Sequence, residues 1–424
     1  MPNIDTTIND NTGDHLALNS EHTKKYNQAI RREKTKALLL VLPLLFFLIV
    51  FFITPIGYML YRSFYNPSVA NLAPKTSEIL TQWQDISKPP NEATYKTLAY
   101  EIKYLQKERL SGKFAEEVNR RLPRTGSVIK QTARKIKKIE LDEIKNYQAL
   151  LTSLHEKWGK PKIWTGIRAA SHKFTINYYA NALDYKLKPS GEIVKQPEDM
   201  QVYLPILKRT FTIALIITLL TFLLGYPVAY YLSLIPLKKA SILLIFVLLP
   251  FWTSLLVRTT AWIAILQSNG VINQSLLTLH IIDKPLDIIY NQFSTILAMT
   301  HILLPFMILP LYSVMKGIDP SYVRASQSLG ANPFKAFIQV YFPLSLPGLS
   351  AGALLVFIIS IGYYITPALI GGVDGQLISN LVAHHMRSTN NWELAAALGS
   401  VLLILIIALY WIYDRLVGAS NIKL

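Results

Sequence analysis

Nine polar and aromatic side chains interrupt strongly apolar stretches of the sequence, where they are suited to contact a solute. They are Trp252, Thr253, Ser254, Arg258, Thr259, Trp262, His301, Tyr363 and Tyr364. A polar group is costly in lipid and tends to face a pathway or a neighbouring helix. The alternation of aromatic and hydroxyl groups therefore predicts a lined translocation pathway. An alternative stays open for Arg258, His301 and the tryptophans, which can instead lie at the membrane surface.

No catalytic motif accompanies these side chains. The sequence contains no G-x-x-x-x-G-K-[ST] loop for nucleotide phosphates, no H-E-x-x-H and no G-x-S-x-G. It has no cysteine, which excludes disulfides and thiolate metal sites. His384 and His385 are adjacent and would point about 100° apart on a helix, so we interpret them as a surface-loop pair. We predict a non-catalytic protein without a metal site or cofactor, driven by another subunit or by an ion gradient.

The elements that position these side chains are apolar and long. Hydrophobic residues make up 51% of the 424 residues, and the mean hydropathy is +0.29, above that of a soluble protein. Crossing a bilayer takes about 20 apolar residues. Runs of this length occur near Ala37–Leu60, Ile206–Leu234, Ala240–Leu266, Phe293–Met315, Leu346–Ile370 and Leu394–Val417. The pattern predicts an all-α integral membrane protein with six spans.

Positive charge predicts the orientation of these spans. Arg31, Arg32, Lys34 and Lys36 directly precede the first span, which places the N-terminus in the cytoplasm. Six spans return the C-terminus to the same side. Residues 1–36 are then a cytoplasmic tail, predicted to be largely disordered. Residues 37–60 are the first membrane helix, and residues 206–424 are a five-helix membrane core.

The long segment over residues 61–205, between the first two spans, is predicted to be periplasmic and helical. Apolar residues recur at helical spacing in two runs, which are Tyr95, Leu98, Ile102 and Leu105, then Ile144, Tyr147, Leu151, Leu154 and Trp158. We predict two amphipathic helices that pack on each other or on the membrane surface. Much of the net charge of +17 lies in this segment. We interpret its basic run, residues 134–138, as a solvated face, with lipid headgroups as the alternative and nucleic acid disfavoured.

A capped elbow is predicted within residues 316–345, between the fourth and fifth spans and on the cytoplasmic side. Asp319 can cap a short helix that starts at Pro320, and Gly330 can end it in a left-handed conformation. Asn332 followed by Pro333 repeats the start for a second short helix, which Pro343 is predicted to stop. Such an elbow offers a stiff surface to a partner. The alternative is an ordinary amphipathic interfacial loop.

This elbow resembles the coupling loop of permease subunits in bacterial binding-protein-dependent ABC importers. That signature runs from a Glu-Ala-Ala triplet through a glycine to a Leu-Pro pair. Its positions are matched here by Arg324, Ala325, Ser326, Gly330, Ala331, Val340 and Pro343. The resemblance implies that the loop docks on a separate cytoplasmic ATPase. Arg324 departs from the pattern by reversing the charge of the usual glutamate.

The stretches LPFWTSLLVRTTAWIAIL, HILLPFMILPLYSVMKGID and ITPALIGG are similar to the spermidine/putrescine-type group of these permeases, over roughly Pro205–Leu424 and the first span. The resemblance implies a six-helix type I ABC importer permease in the bacterial inner membrane, with a long helical periplasmic insert. It implies two ATP-binding subunits, a second, different permease, a periplasmic solute-binding protein and surrounding lipid as partners, and a polyamine as cargo. Opines, phosphonates and other small solutes are alternatives within the group.

Two other classes of protein remain to be weighed. A secondary transporter usually carries carboxylates deep in its spans for ion coupling, and none is found here. A membrane-anchored sensor or structural protein suits the long inter-span segment but does not explain the elbow.

Overall fold

The first apolar segment forms one long helix. A computed structural model describes residues 12–188 and 191–417, and their side chains from residue 30 to residue 415. Helix α1 (Thr12–Leu48) continues through a π-helical turn (Ile49–Ile53) into α2 (Thr54–Phe64). Pro55 accounts for the wider turn, because it has no N–H to donate and its ring would meet the carbonyl four residues earlier. Tyr61 closes one compact unit of the chain, and Arg62 opens the second.

The N-terminal part differs from the predicted disordered tail. Helix α1 already begins at Thr12, and residues 1–11 lie outside the described residues. The chain contains neither Gly nor Pro between Asp14 and Leu42. Nothing therefore interrupts the extension of the apolar helix towards the N-terminus.

The inter-span segment, residues 65–202, is built from short helices and one hairpin. The helices are α3 (Ser68–Leu72), α4 (Pro74–Gln82), α5 (Glu92–Lys107), α6 (Ser111–Arg121), α7 (Gly126–Ile136), α8 (Tyr147–Leu154), α9 (Pro161–Ser171) and α10 (Asn177–Ala182). Two 3-10 turns cover Glu156–Gly159 and Glu198–Met200. Strands β1 (Tyr185–Leu187) and β2 (Ile193–Lys195) pair antiparallel, with Lys186 opposite Val194.

An aromatic core holds the inter-span segment together. Tyr95, Trp158 and Trp164 are fully buried, with ring centroids of Tyr95 and Trp164 4.6 Å apart. The Tyr95 hydroxyl and the Trp164 Nε1–H both donate to the carbonyl of Trp158, at 2.7 and 2.9 Å. The Trp158 Nε1–H donates to the hydroxyl of Thr132 at 2.8 Å. Every polar atom of these rings is therefore satisfied inside an apolar core, as burial requires.

The two predicted amphipathic runs both contribute to this core. The first run lies on α5, where its four apolar residues are buried. The second run is only partly helical, because α8 ends at Leu154 and Trp158 stands on the 3-10 turn that follows. His155 ends α8 with extended backbone, and its ring nitrogen accepts the N–H of Lys157 at 3.2 Å.

The rest of the chain is a helical membrane core. Its helices are α11 (Tyr203–Leu234), α12 (Leu237–Trp252), α13 (Leu255–Leu266), α14 (Val271–Thr278), α15 (Gln292–Lys316), α16 (Pro320–Ser328), α17 (Pro333–Ala336), α18 (Phe342–Gly362), α19 (Ile365–Ile370), α20 (Ile378–Arg387) and α21 (Trp392–Val417). Over the described residues, the stretches long and apolar enough to cross a membrane are Ile30–Phe64, Tyr203–Leu234, Leu255–Thr278, Gln292–Lys316, Pro333–Gly362 and Trp392–Arg415. The predicted six spans are confirmed.

Small residues let the three central helices α11, α15 and α18 approach closely. A Cβ added at Gly352 of α18 would lie 3.0 Å from Sδ of Met307 on α15, and one at Gly225 of α11 would lie 3.1 Å from Cγ of the same residue. A Cβ added at Gly348, one turn before Gly352, would lie 2.9 Å from the carbonyl oxygen of Pro310. Met307 is thus wedged between two glycine-lined helices, a packing typical of membrane bundles.

Two predicted spans are interrupted in the structure. The stretch Ala240–Leu266 is broken at Thr253 and Ser254, so α12 ends at Trp252 and the third span starts with α13. The Ser254 hydroxyl caps α13 by accepting the N–H of Val257 at 3.3 Å. The stretch Leu346–Ile370 is likewise broken at Tyr363 and Tyr364, between α18 and α19. Non-helical backbone is tolerated inside a membrane protein only where other groups satisfy it.

A charge cluster joins the end of α2 and the inter-span segment to the sixth span. The Arg62 guanidinium donates to the Glu393 carboxylate at 2.6 Å, and Arg120 lies 3.8 Å from the same carboxylate. Arg120 also pairs with Glu117 at 2.7 Å. Asn66 donates to the second carboxylate oxygen of Glu117 at 3.1 Å. Helix α10 packs its apolar side on α21 beside this cluster.

Candidate functional site

The elbow, residues 319–340, starts with the predicted cap. The Asp319 carboxylate accepts the N–H of Ser321 at 2.8 Å, and Pro320 is the first residue of α16. These hydrogen bonds from Ser321 lower the pKa of Asp319. Because the cap is charged at neutral pH, it also complements the positive end of the helix dipole.

Gly330 ends α16 as predicted. Its φ is +94°, in the region that favours glycine. The Gly330 N–H donates to the carbonyl of Gln327 at 3.0 Å, and the Ala331 N–H donates to that of Ser326 at 3.1 Å. This pair of bonds is the Schellman arrangement, in which the two residues after the helix satisfy its last carbonyls. Asn332 then caps the next helix by accepting the N–H of Lys335 at 2.8 Å.

Pro343 does not stop the second helix, in contrast to the prediction. The chain is helical from Pro333 to Gly362, through α17, a π-helical turn (Phe337–Tyr341) and α18. A wider turn directly before a proline relieves the clash between its ring and the carbonyl four residues earlier. Rings of Phe337 and Tyr341 pack against Tyr230, with centroids 5.6 and 5.0 Å apart. The fifth span is therefore a direct continuation of the elbow.

The elbow leaves its apolar side chains uncovered. Leu329, Phe334 and Tyr322 are 90%, 73% and 57% exposed, and no residue of α16 is buried. Arg324 and Ala325 are exposed, whereas Ser326, Ala331 and Val340 are half-buried. The Lys316 ammonium fixes the base of the elbow by donating to the carbonyls of Ser233 and Ile235 at 3.0 and 2.9 Å. A stiff loop with exposed apolar side chains is suited to a protein partner.

Three of the predicted pathway residues form a cluster in the membrane core, because Arg258 lies one turn before Trp262 on α13 and Trp262 contacts His301. Arg258 and Trp262 lie on α13, His301 on α15 and Tyr363 at the end of α18. The Trp262 Nε1–H points to Nδ1 of His301 at 3.4 Å. Nε of Arg258 is buried without a hydrogen-bond partner among the described residues, which leaves a donor available in this cluster.

Four other predicted pathway residues lie at the break before α13 or at the contact between α13 and α19. The Thr259 hydroxyl is buried, donates to the carbonyl of Leu255 at 2.9 Å and lies 3.3 Å from the Thr366 hydroxyl. Thr253 donates to the carbonyl of Pro250 at 2.9 Å. Together with Ser254 and Trp252, which is 76% exposed, it marks the break before α13. These residues shape the break and the contact between α13 and α19.

Side chains that no sequence pattern indicated bind the backbone and side chains at the break between α18 and α19. The Ser379 hydroxyl donates to the carbonyl of Tyr363 at 2.6 Å, and the Asn380 amide donates to that of Tyr364 at 2.8 Å. The Arg387 guanidinium donates to the Tyr364 hydroxyl at 3.0 Å. The chain between Gly362 and Pro367 carries a weak signal for this break, because both residues interrupt helices.

His384 and His385 lie on a helix, α20, and not in a surface loop as predicted. Nε2 of His385 is 3.0 Å from the Tyr203 hydroxyl, and its Nδ1 is 3.2 Å from the Thr389 hydroxyl. Burial, followed by the nearby charges of His384 and Arg120, lowers the pKa of His385 to about 4. This imidazole is therefore neutral at physiological pH and serves as a hydrogen-bonding group between α20 and α11.

Comparison with known families identifies the membrane core. The family described as binding-protein-dependent transport system inner membrane component matches residues 208–419. The chain belongs to this family. The match takes in the last five spans and the elbow, which confirms the predicted permease fold, and it leaves the inter-span segment outside. This inner membrane component is a multi-pass protein of the inner membrane.

Named relatives resemble this inner membrane component over most of their length. The spermidine/putrescine transport system permease protein PotB of Escherichia coli (strain K12) is 35% identical over 248 residues, which are 58% of this chain and 84% of PotB. PotB of Salmonella typhimurium (strain SL1344) is 34% identical over 248 residues, 58% of this chain and 81% of that protein. PhnU of Salmonella typhimurium (strain LT2), named for 2-aminoethylphosphonate transport, is 27% identical over 237 residues, 55% of this chain and 82% of PhnU.

Proposed function

We propose that this inner membrane component is the permease subunit of an ATP-driven importer, and that its cargo is a polyamine such as putrescine or spermidine. Likeness to the PotB proteins supports this cargo, because it extends over more than four fifths of their length. ATP hydrolysis falls to a separate subunit, since the sequence contains no phosphate-binding loop of its own.

The elbow is the observation that carries the proposed mechanism. Its two capped helices and the Schellman turn at Gly330 hold Tyr322, Leu329 and Phe334 outward in one rigid arrangement. A preorganised apolar surface of this kind loses little conformational entropy on docking. Because the elbow runs directly into the fifth span, a displacement by the ATPase is transmitted to the membrane core as movement of a continuous helix.

The assembly that this mechanism requires has four further protein components besides lipid. Two ATP-binding subunits drive the cycle, a second, different permease completes the pathway, and a periplasmic binding protein delivers the solute. Closure of the ATPases moves the elbows, and the permeases open outward to accept the solute. In this arrangement both termini and the elbow are cytoplasmic, whereas the inter-span segment is periplasmic.

Gly330→Val tests the elbow. A Cβ added there would have no neighbouring atom within 4 Å, so we expect the change to act through the backbone. A left-handed conformation costs an L-residue about 1–2 kcal/mol. We expect normal membrane insertion with weaker ATPase attachment and weaker solute-stimulated ATP hydrolysis after reconstitution with the cognate ATPase.

Gly317→Val is the matched control. Gly317 lies at the other end of the loop with φ −84°, and an added Cβ would be 3.5 Å from the Val314 carbonyl, an ordinary contact. We expect the Gly317→Val protein to retain nearly normal ATPase attachment and solute-stimulated ATP hydrolysis. Wild-type transport and ATPase stimulation by the Gly330→Val protein would show that the elbow is not the coupling element.

Single cysteines test the orientation, because the natural sequence has none. Ser153→Cys introduces an exposed thiol in the inter-span segment, and Ser328→Cys introduces one in the elbow. In cells with a permeabilised outer membrane, a membrane-impermeant maleimide should label the first variant and not the second. Disruption of the inner membrane should make both reactive. Labelling in the reverse order would reject the proposed topology.

A second cargo is favoured by the charge of the cluster in the membrane core. The second to fifth spans contain no Asp or Glu that could neutralise Arg258. A cationic solute would therefore be repelled by Arg258. An anionic amino compound such as an aminophosphonate suits this cluster better, and PhnU is named for such a solute.

Uptake by cells that carry the complete transport system separates the two cargoes. Under the polyamine proposal, labelled putrescine or spermidine accumulates, and Arg258→Gln does not lower the uptake. Under the alternative, 2-aminoethylphosphonate accumulates, and Arg258→Gln lowers its uptake. Uptake of neither cation, together with tight binding of an anion by the periplasmic partner, would reject the polyamine assignment and retain the importer.

A further inference from the structure

A cavity of about 600 Å³ opens in the inter-span segment, next to the end of the first span. Its lining includes Arg121, Arg168, His172, Phe64, Phe174 and Ile176. The cavity is framed by a short backbone pairing. The Asn66 N–H donates to the carbonyl of Lys173, and the Thr175 N–H donates to that of Phe64, both at 2.8 Å. These two hydrogen bonds fix the chain around Phe64 and Asn66 as one wall of the cavity.

Among the described residues, the two arginines that line this cavity are not neutralised by an ion pair, whereas Lys188, which also lines it, pairs with Glu192 at 2.8 Å. No Asp or Glu is among its lining residues, and neither Arg121 nor Arg168 forms an ion pair in the described part of the chain. Arg121 donates to the Thr175 hydroxyl and lies 5.9 Å from the centroid of the Tyr178 ring. The charge of Glu117, on the same helix, favours the charged form of Arg121.

Glu117 is already engaged. It accepts hydrogen bonds from Arg120 at 2.7 Å and from Asn66 at 3.1 Å. Partial burial, with the charges of Arg168 and Arg121, lowers the pKa of His172. Arg121 and Arg168 thus line one cavity together with His172, and the positive potential of the cavity favours an anion.

The rim of the cavity is apolar and uncovered. Phe174, Ile176 and Phe64 are 67%, 49% and 43% exposed. Phe64 is the last residue of the first span, so this rim follows directly on the membrane helix. A free inorganic anion would gain nothing from such a rim, whereas a ligand with an apolar portion would cover it.

We propose that this cavity binds the phosphodiester headgroup of an anionic membrane phospholipid. Arg168 and Arg121 donate to the phosphate oxygens in the planar, two-point geometry that guanidinium groups offer to phosphate. The glycerol and upper acyl chains lie against Phe64, Phe174 and Ile176. The volume is within the range of small-molecule sites and exceeds what a bare phosphate fills. The bound lipid fastens the inter-span segment to the membrane surface beside the first span.

Lipid titration of the purified full-length protein in detergent, followed by native mass spectrometry, tests this site. Dioleoyl phosphatidylglycerol is compared with dioleoyl phosphatidylcholine, and Arg168→Gln is compared with the wild type. We expect the anionic lipid to bind preferentially and Arg168→Gln to weaken it about tenfold, as for the loss of one charge-assisted contact. Arg168 is half-buried and makes no hydrogen bond in the described residues, so this variant should fold normally.

Two controls keep the outcome interpretable. Lys130→Gln removes the same charge from an exposed position outside the cavity and should leave lipid binding unchanged. Arg121→Lys keeps the charge but not the two-point geometry and should weaken binding while the protein remains folded. Equal binding of both lipids, equal losses in Arg168→Gln and Lys130→Gln, or displacement of the lipid by millimolar inorganic phosphate would each overturn the proposal. The last result would assign the site to a free anion.

Discussion

Removal of the Glu393 carboxylate should destabilise the joint that the end of α2 and the inter-span segment make with the sixth span. Glu393 is 5% exposed and accepts a 2.6 Å hydrogen bond from Arg62, which is 39% exposed. It also lies 3.8 Å from Arg120, which is 14% exposed and retains its bonds to Glu117 and Glu116. Glu393→Ala therefore breaks one short charged bond and weakens one longer contact.

The free-energy cost of Glu393→Ala depends on whether Arg62 and Arg120 keep other partners or solvent. Breaking a fully buried pair costs about 3–5 kcal/mol, because the remaining charge is left alone. Neither partner of Glu393 is left alone in this way, since Arg62 can turn to solvent and Arg120 keeps two carboxylates. A hydrogen bond to a charged group contributes about 1.5–3 kcal/mol. We therefore expect Glu393→Ala to lower the free energy of unfolding by about 2 kcal/mol.

Arg120→Ala should cost more, about 3 kcal/mol, because it leaves both Glu117 and Glu393 without this cation. Burial raises the pKa of Glu117, although the charge of Arg120 lowers it. Glu116→Ala is the control, since Glu116 contacts the same guanidinium at 2.9 Å but is 52% exposed. Its loss should cost about 0–1 kcal/mol.

Thermal unfolding of the detergent-solubilised variants, followed by intrinsic tryptophan fluorescence, measures these differences. We expect midpoints to fall in the order Glu116→Ala, Glu393→Ala, Arg120→Ala, with the largest shift a few degrees or more. Because unfolding of membrane proteins is often irreversible, all variants are heated at one scan rate. A Glu393→Ala midpoint equal to that of Glu116→Ala would refute the reasoning that this carboxylate joins the two parts.

Three further predictions concern packing, capping and pH. Gly352→Val should lower stability by about 1–3 kcal/mol, because its side chain meets Met307, whereas Gly362→Val, with no atom within 4 Å of an added Cβ, should cost less in the same unfolding assay. Asp184→Ala should cost about 2 kcal/mol in that assay, since its buried carboxylate accepts three N–H groups at the start of α11. His385 has a folded pKa of about 4 against 6.5 when unfolded, so the unfolded state binds more protons between these values and stability falls as the pH falls through this window. His385→Gln should therefore lose less thermal stability between pH 6.5 and 4, and an unchanged pH profile would contradict the assignment.

Much of the elbow could be predicted because its determinants are local. Asp319, Gly330 and Asn332 act on backbone groups no more than four residues away, and their side chains favour these conformations in any context. The prediction that Pro343 stops the second helix is wrong, because the conformation before this proline depends on contacts with a distant helix. The π-helical turn before it is packed against Tyr230 of another helix, which a local rule for proline does not include.

The site in the membrane core shows the same division. The polar residue types at positions 258, 262, 301 and 363 are evident in the sequence, and their cost in lipid marks them as functional candidates. The sequence does not show which of these residues are in contact, because they lie on different turns or helices. Trp262 contacts His301 only because α13 and α15 pack together.

The sequence by itself therefore determined which segments enter the membrane and how the elbow is capped. Hydropathy acts on each segment separately, and capping acts over single turns. The tertiary structure alone decided where the spans break, how Arg62, Arg120 and Glu393 join two distant parts of the chain, and that Arg121 and Arg168 share one cavity. These features depend on contacts between residues far apart in the chain, whose free energy is only realised once the helices have packed.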